Sequence, residues 1–399
     1  MTAVPHDPPF VSEPVGILAV LLAVLAAIFW FGETGPGKRL FSVVPRLVFC
    51  YFVPTTLTTL GVLPDSSPLY DWIKDYLLPT SLILLILALD VPGIVRLGPK
   101  ALVMLLAGTA GVVIGAPIAL FLFLNFVPPD TWQGMTALSG SWIGGGANMV
   151  ALAQMAGTSD TMFGMMVIVD VAVANVWMGV LLFAAGKAAK IDRWTGADTS
   201  AIDDLKRRVT EFEARHVRPP GLDDLILIVA IGFLGMWVAT LAGRQLGAVL
   251  PLFSDTVWKF IVVTALAVGL SFSPARQLEG AGASKIGSLM LYVLVASIGA
   301  HADFMQMREA PVLVAVGAVW MLFHVAFLLL VARLIKAPVF FVAVGSQANI
   351  GGAASAPVVA SAFHPSLAPV GVLLAVAGYV LGTYAGLVCM VMLKYVAGV

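Results

Sequence analysis

The sequence predicts an all-α polytopic membrane protein built from two repeats, and three observations point to this class. Hydrophobic residues make up 60% of the 399 residues and charged residues only 11%, whereas a soluble domain has about 25% charged residues. The mean hydropathy is +0.99. The chain holds about twelve apolar stretches near the ~20 residues that a membrane-spanning helix needs. Two of these stretches are interrupted near their middle by similar glycine-rich motifs.

The apolar stretches fall into two sets with one strongly polar segment between them. The first set covers roughly 15–31, 41–63, 70–90, 101–126, 134–157 and 163–188, and the second roughly 222–242, 257–272, 285–302, 311–335, 339–362 and 367–394. We therefore predict a first half at 1–188, a polar linker at 189–221 and a second half at 222–399. Because the linker is rich in acidic and basic residues, we interpret it as a solvated connection between the halves.

The first apolar stretch is predicted to be a membrane helix and not a signal peptide. Residues 1–14 contain no Lys or Arg, whereas a signal peptide begins with a basic region. We expect an integral multi-pass protein of a bacterial inner membrane. The formal net charge is zero, so no nucleic-acid partner is implied.

The two glycine motifs indicate an internal duplication. They read GSWIGGGANM at 140–149 and GSQANIGGAAS at 345–355. An Asp, an Arg and a Pro precede each motif in the same order: Asp90, Arg96 and Pro99 in the first half, and Asp303, Arg308 and Pro311 in the second. Paired hydrophobic segments interrupted by glycine at corresponding positions are typical of secondary transporters with a midplane site.

The relative orientation of the two repeats is left with two alternatives. Broken-helix transporters usually have inverted halves, and we expect inversion here. Six crossings in each half would instead make the halves parallel, unless one stretch in 41–63 or 222–272 is miscounted.

The predicted site lies at the two interruptions. Unwound carbonyls can coordinate a cation such as sodium, while the N–H groups at the start of each half-helix can hold an anion. The predicted solute or ion ligands are Ser141, Gly144, Gly145, Gly146, Asn148, Ser346, Gln347, Asn349, Gly351, Gly352 and Ser355. The alternative is that these small residues only allow helices to pack closely in lipid.

Three further polar residues lie within apolar stretches. Asp170 is a candidate cation ligand or proton carrier, because an ionised Asp at the bilayer centre costs at least ~2.5–3.5 kcal/mol and requires a partner. Asn175, five residues later, is a candidate member of the same site. His324 is a candidate proton relay. For Asp170 and His324, the alternative is a hydrogen-bonded structural residue that holds neighbouring helices together.

The motif residues 141–148, 346–352 and 378–384 resemble the YjcL-like family of uncharacterised bacterial and plant membrane proteins, and the resemblance extends from about residue 40 to the end. That family is grouped with the cation/proton antiporters and anion symporters, which include the sodium/glutamate and sodium/bile-acid symporters. The resemblance implies two repeats with crossed discontinuous helices, elevator-type alternating access and a homodimer.

No phosphate-binding loop, dinucleotide fingerprint, HExxH or GxSxG motif occurs in the sequence, which argues against an ATP-driven pump or a membrane hydrolase. We therefore predict no enzyme activity and no cofactor. The prediction is a secondary active transporter of a small anionic or zwitterionic organic solute, such as an amino acid, short peptide or carboxylate, coupled to sodium or protons. The alternatives are a monovalent cation/proton antiporter, and a passive channel or non-transporting membrane scaffold.

Overall fold

The computed structural model describes residues 9–41, 44, 46–197, 202, 220–250, 252–301, 310–364 and 367–399. All regular structure within these ranges is helical. Seven of the described helices are long and apolar enough to cross a bilayer. The chain is therefore an all-helical, multi-pass integral membrane protein, as the composition predicts.

The first half begins with α1 and ends with a short helix in the polar segment. Its helices are α1 Pro14–Gly32, α2 Gly35–Phe41, α3 Arg46–Thr59, α4 Pro68–Trp72, α5 Leu78–Ile86, α6 Val91–Arg96, α7 Pro99–Phe123, α8 Thr131–Gly144, α9 Gly146–Ala156, α10 Asp160–Ala185 and α11 Ala188–Thr195. A π-helical turn at Ile73–Leu77 joins α4 to α5.

The second half consists mainly of long helices. They are α12 Leu222–Val249, α13 Asp255–Ser271, α14 Ala283–His301, α15 Ala310–Leu334, α16 Val339–Ile350, α17 Gly352–Phe363 and α18 Ala368–Ala397. A 3₁₀ helix at Pro274–Glu279 connects α13 to α14.

Within the described residues, seven of the twelve predicted stretches form a single helix long enough to cross the membrane. The single-helix spans are α1, α7, α10, α12, α14, α15 and α18. The stretch at 70–90 is divided among α4, the π-helical turn and α5. In the stretch at 41–63, α3 has only 14 residues. The stretches at 134–157 and 339–362 are each two shorter helices in sequence, as their glycines predict.

Asp90, the acidic residue of the first repeated Asp–Arg–Pro set, has two structural partners. It accepts a hydrogen bond from the N–H of Gly93 at 3.0 Å, which caps α6, and forms an ion pair with Arg276 at 2.8 Å. Asp90 therefore joins the start of α6 to the 3₁₀ helix that contains Arg276. The corresponding Asp303 and Arg308 of the second half lie outside the described residues.

Most described residues of the polar segment at 189–221 are exposed, but one acidic residue is buried. Asp192 in α11 is buried and accepts a hydrogen bond from the N–H of Val339 at 2.8 Å. It therefore fixes α11 to the start of α16. Burial raises the pKa of the Asp192 carboxyl, and the bond from Val339 partly opposes this rise. Residues 198–201 and 203–219 of the segment lie outside the described residues.

The helices pack in two groups. The core group consists of α7–α10 and α15–α18, in which α7 packs on α15 and α16, and α8 packs on α9 and α18. The scaffold group consists of α1, α3, α5 and α12–α14, in which α14 packs on α3 and α5, and α13 packs on α12 and α5. The long helix α18 reaches from the core group to α13 and α5.

Candidate functional site

The two helix interruptions are each confined to one or two glycines. Gly145 separates α8 from α9 with φ 78° and ψ −177°. Gly351 ends α16, and Gly352 begins α17 with φ 58°. Side chains rarely adopt positive φ, so glycine is needed at Gly145 and Gly352. The unwound segments are shorter than we expected, because Gly144, Asn148 and Asn349 all lie within helices.

The two interruptions contact each other although they are about half the chain apart. A Cβ atom built on Gly352 would stand 3.5 Å from the Cα of Gly145. Helices α9 and α17 both begin at this contact, and the N–H groups in the first turn of a helix have no intrahelical acceptor. The contact therefore brings together two helix N-termini, which favour negative charge.

The interruptions are also where these buried segments become accessible. Residues 134–144 and 147–153 are all buried, whereas Gly145 and Gly146 are partly exposed. In the second half, residues 340–350 are all buried and Gly351 is partly exposed. In the first half an opening therefore reaches the interruption itself. In the second half it reaches Gly351 and the first turn of α17, where Ala353 and Ser355 are also partly exposed.

The glycines of this region have two different roles. Gly140, Gly378 and Gly382 are packing glycines: a Cβ on each would stand 2.5 Å from Asn148 O, 2.7 Å from Ile143 O and 2.6 Å from Asn148 Nδ2, respectively. Gly144 is a fourth, since a Cβ there would overlap Gly378 O and the Asn148 amide. By contrast, a Cβ on Gly146 would meet only Leu47 Cδ2, at 3.6 Å. Gly144 thus allows close helix packing, and Gly145 makes the bend.

Asn148 fixes the first interruption to α18. Its Nδ2 donates to the carbonyls of Gly144 at 3.1 Å and Tyr379 at 3.0 Å. Its Oδ1 accepts from Thr383 Oγ1 at 2.9 Å. Thr383 also contacts Thr264 of α13 through their hydroxyls at 3.0 Å. Asn148 therefore belongs to a polar chain that runs from the core group to the scaffold group.

Asn349 fixes α16 to α7 with the same arrangement of partners. Its Nδ2 donates to the carbonyls of Leu105 and Gly345, both at 2.9 Å. Its Oδ1 accepts from Thr109 Oγ1 at 2.8 Å. In Asn148 and Asn349 alike, every amide group is bonded to protein. We therefore interpret both as clamps, whereas the sequence suggested free ligands.

Asp170 lies beside α8, on the side that precedes the first interruption. Its Oδ2 accepts from Ser141 Oγ at 2.7 Å and its Oδ1 from Trp142 Nε1 at 2.8 Å. Asp170 is partly exposed, and no described residue forms an ion pair with it. These two bonds hold the carboxyl group in a fixed position, and a cation could bind against its remaining lone pairs and Ser141 Oγ. Asn175 is partly exposed, and no described residue hydrogen-bonds to it.

His324 is fully buried and belongs to a linear series of hydrogen bonds. Its Nδ1 lies 3.0 Å from Gly108 O, and its Nε2 lies 2.8 Å from Ser346 Oγ. Because a carbonyl only accepts, Nδ1 carries the hydrogen, and Nε2 accepts from Ser346. The Nε1 of Trp177 donates to Ser346 Oγ at 2.8 Å. Both ring nitrogens thus have protein partners, which favours the structural alternative for His324 and Ser346.

Gln347 has the one unsatisfied polar group beside the interruptions within the described residues. The side chain is 1% exposed, and its Oε1 has no hydrogen-bond partner. Its Nε2 donates to Ser355 Oγ at 2.7 Å. This nitrogen lies so close to Gly351 that a Cβ atom on Gly351 would overlap it. A buried carbonyl oxygen without a partner costs ~1–3 kcal/mol. The Gln347 oxygen is therefore a buried acceptor beside the second interruption whose hydrogen-bonding capacity no described residue uses.

Four residues of this region were not predicted as site residues. Thr109 and Trp177 are isolated polar groups in apolar stretches, which gave no signal of their partners. Tyr379 and Thr383 lie in the motif at 378–384, which entered only as part of the family resemblance. Each Asn bonds a backbone carbonyl and the Thr four residues after it on the neighbouring helix. This pattern can be recognised only when it is known which helices are neighbours.

This chain is similar to uncharacterised proteins. The family model described as "Protein of unknown function (DUF819)" matches residues 19–396. The chain is also similar to a protein of Bacillus subtilis (strain 168) named "Uncharacterized membrane protein YjcL", with 25% identity over 391 residues, which covers 94% of this chain and 96% of the relative. The resemblance that the motif residues indicated is thereby confirmed at the level of the family.

Proposed function

The chain belongs to the DUF819 family, and we propose that it is a secondary active transporter of a small organic solute. The solute is anionic or zwitterionic, such as an amino acid, a short peptide or a carboxylate. Sodium or protons drive its movement. The observation that carries the proposal is that two glycine interruptions meet inside a membrane protein, and that Gly145, Gly146 and Gly351 are partly exposed there next to helices α8 and α16, whose residues nearest the interruptions are buried. A polar opening at the ends of broken helices is typical of transporter sites.

The chemistry of the opening supports a carboxylate-bearing solute. The first turns of α9 and α17 offer N–H groups and the positive ends of two helix dipoles. The free Gln347 Oε1 and the Ser355 hydroxyl offer oxygen atoms to a cationic group or to a coupling ion. An amino acid or peptide has both kinds of charge, so a zwitterion would satisfy both parts of the opening.

Asp170 is the proposed coupling residue. A carboxylate within a span requires compensation, and no described side chain supplies a positive charge to it. Ser141 and Trp142 keep the carboxylate in place, so a sodium ion or a proton can bind and leave without large rearrangement. Ser141 lies in α8, which ends at the first interruption, so an ion at Asp170 would act on the helix that forms the solute site.

The second candidate is a monovalent cation/proton antiporter, and Asp170 favours it. In that mechanism, Asp170 would bind the cation and the proton in turn, and no organic solute would be needed. A channel or a non-transporting scaffold is the third class. It is less well supported, because Asp170 is a single carboxylate and not part of a symmetric ring of charges.

Alternating access is proposed to be a movement of the core group against the scaffold group in a homodimer, as expected from the superfamily of cation/proton antiporters and anion symporters. The order of elements supports two repeats, and we propose that they are inverted, as is usual for broken-helix transporters. α8 and α16 begin the two broken pairs at Thr131 and Val339, and α10 and α18 follow at Asp160 and Ala368, the same number of residues apart in each case.

The test is ligand binding and uptake by the purified protein. Thermal-shift measurements against amino acids, dipeptides and carboxylates, in sodium or in choline, would detect a solute that binds the folded state. Uptake into proteoliposomes would then be compared with Gly146→Val, which fills the opening at a residue of ordinary φ. Gly179→Val is the matched control, since a Cβ at Gly179 in α10 meets no atom within 4 Å.

A sodium-dependent stabilisation, with uptake lost in Gly146→Val and kept in Gly179→Val, is the expected result. Cation movement with proton exchange and no solute would favour the antiporter. Equal uptake by both variants would place the site elsewhere in the chain.

A further inference from the structure

The opening at the interruptions has an aromatic side chain at its wall. The Cε1 of Tyr379 lies 3.8 Å from the position of a Cβ on Gly145, which is ordinary van der Waals contact. A Cβ on Gly145 would otherwise meet only Gly352, at 4.0 Å from its Cα. The space beside the first interruption therefore admits at least a Cβ atom, and the Tyr379 ring lies on one side of it.

The position of this ring is fixed by the polar clamp beneath it. The carbonyl of Tyr379 accepts from Asn148 Nδ2 at 3.0 Å. One turn later, Thr383 donates to the same amide at 2.9 Å. Asn148 belongs to the helix that begins at the interruption, so the backbone of Tyr379 is held beside the interruption as long as Asn148 is bonded to α18.

The side chain of Tyr379 lies on the side of α18 that faces the scaffold group. It packs against the cluster of Leu89 and Ile94, which Val268 of α13 also contacts. No described residue hydrogen-bonds to the Tyr379 hydroxyl, and the side chain is partly exposed. On the same boundary, Leu47 of α3 faces Gly146. The ring thus lies between the interruptions and the scaffold group, where a solute would enter.

We infer that Tyr379 is a specificity-determining residue of this transporter, whose ring limits the size of the solute group that enters the opening beside Gly145. The inference rests on the proposed function and adds to it which side chain sets the size limit. In this arrangement the helix N-termini hold the carboxylate of the solute. The apolar remainder of the solute packs against the ring, and the phenol hydroxyl adds one hydrogen bond at the entrance.

A cysteine at position 146 would report on the opening without requiring the solute to be known. Gly146 has an ordinary φ and room for a Cβ, so Gly146→Cys fits the backbone. The native Cys50 and Cys389 are both fully buried and serve as internal controls for loosening of the fold. The rate of modification would be measured in detergent with the small charged thiol reagent MTSES and with a bulky fluorescein maleimide.

The expected result is that Gly146→Cys reacts with MTSES and that Tyr379→Ala raises the rate severalfold, with a larger increase for the bulky reagent. Tyr379→Phe should leave both rates unchanged, because it keeps the ring. Tyr384→Ala is the matched control on α18, since Tyr384 faces outwards with its hydroxyl 3.4 Å from Ile261 O. It should also leave both rates unchanged.

The inference is overturned if Tyr379→Ala leaves both rates as they were, while Gly146→Cys itself reacts. It is equally overturned if Tyr379→Ala makes Cys389 reactive, because the ring would then be a packing element of α18. An unreactive cysteine at position 146 in every background would count against the proposed site as well, which distinguishes failure of the function from failure of the inference.

Discussion

Replacing Asn148 with alanine should destabilise the protein more than the same change at Asn349, although the two amides have matching partners. The two variants differ in which buried backbone carbonyls lose a hydrogen-bond donor. Gly144 is the last residue of α8, and its carbonyl is bonded by Asn148 Nδ2, while the backbone N–H of Asn148 donates to Gly145 instead. Asn148→Ala therefore leaves Gly144 O buried without a partner.

The partners of Asn349 lose much less. The carbonyls of Leu105 and Gly345 lie inside α7 and α16, where helical hydrogen bonds also reach them. Thr109 already has Leu105 O as a second acceptor at 3.2 Å. A side-chain hydrogen bond between membrane helices contributes about 0.6 kcal/mol on average, so Asn349→Ala should cost about 1–2 kcal/mol. Asn148→Ala should add the ~1–3 kcal/mol of an unsatisfied buried carbonyl.

The free energy of unfolding would be measured for both variants by steric trapping in bicelles. Thr383→Val is added because it removes the hydroxyl that joins Asn148 Oδ1 to Thr264 but keeps the bond from Asn148 to Gly144 O. Asn148→Ala is expected to destabilise the protein more than Asn349→Ala and more than Thr383→Val. An equal or reversed order for the two asparagines would refute the clamp argument. Unchanged stability with weakened solute binding would return both amides to the role of ligands.

Three further predictions concern coupling, movement and pH. Asp170→Asn keeps an acceptor for Trp142 but removes the charge, so the folded yield should be normal while uptake against a gradient is lost. Normal uptake against a gradient would instead assign Asp170 to packing. The double variant Thr264→Cys and Thr383→Cys should form a disulfide, because the native hydroxyls are 3.0 Å apart. Oxidation should stop uptake and reduction should restore it. Undiminished uptake by the oxidised protein would contradict movement of the core group against the scaffold group. Burial raises the pKa of Glu279 above its ordinary 4.5, partly offset by hydrogen bonds from Ser284, so the folded state binds this proton more tightly. Stability should therefore rise as the pH falls through the window between the raised value and 4.5, and melting curves of Glu279→Gln should lack that slope; an identical slope in the variant would exclude Glu279 as its source.

The class of the protein and the positions of its interruptions are properties of the sequence alone. Apolar stretches of membrane-spanning length have few other stable environments, because backbone polar groups in lipid must bond within helices. The interruptions at Gly145 and Gly351–Gly352 could be located because positive φ requires glycine. The length of the unwound segments could not be predicted from the sequence, because it depends on how far each neighbouring helix continues.

The roles of the polar side chains were decided by tertiary structure. Asn148 and Asn349 look like ligands in the sequence, but the rotation of α9 and α16 directs their amides to carbonyls of α18 and α7. Asp170 binds Ser141 and Trp142, which precede the interruption, and not the interruption itself.

Tyr379 comes to Gly145 from the far end of the chain because the packing glycines let α8 and α18 approach at backbone distance. Hydrogen bonds of this kind depend on which faces of two helices meet, and that is set by the packing of the whole bundle and not by the residues on either helix alone.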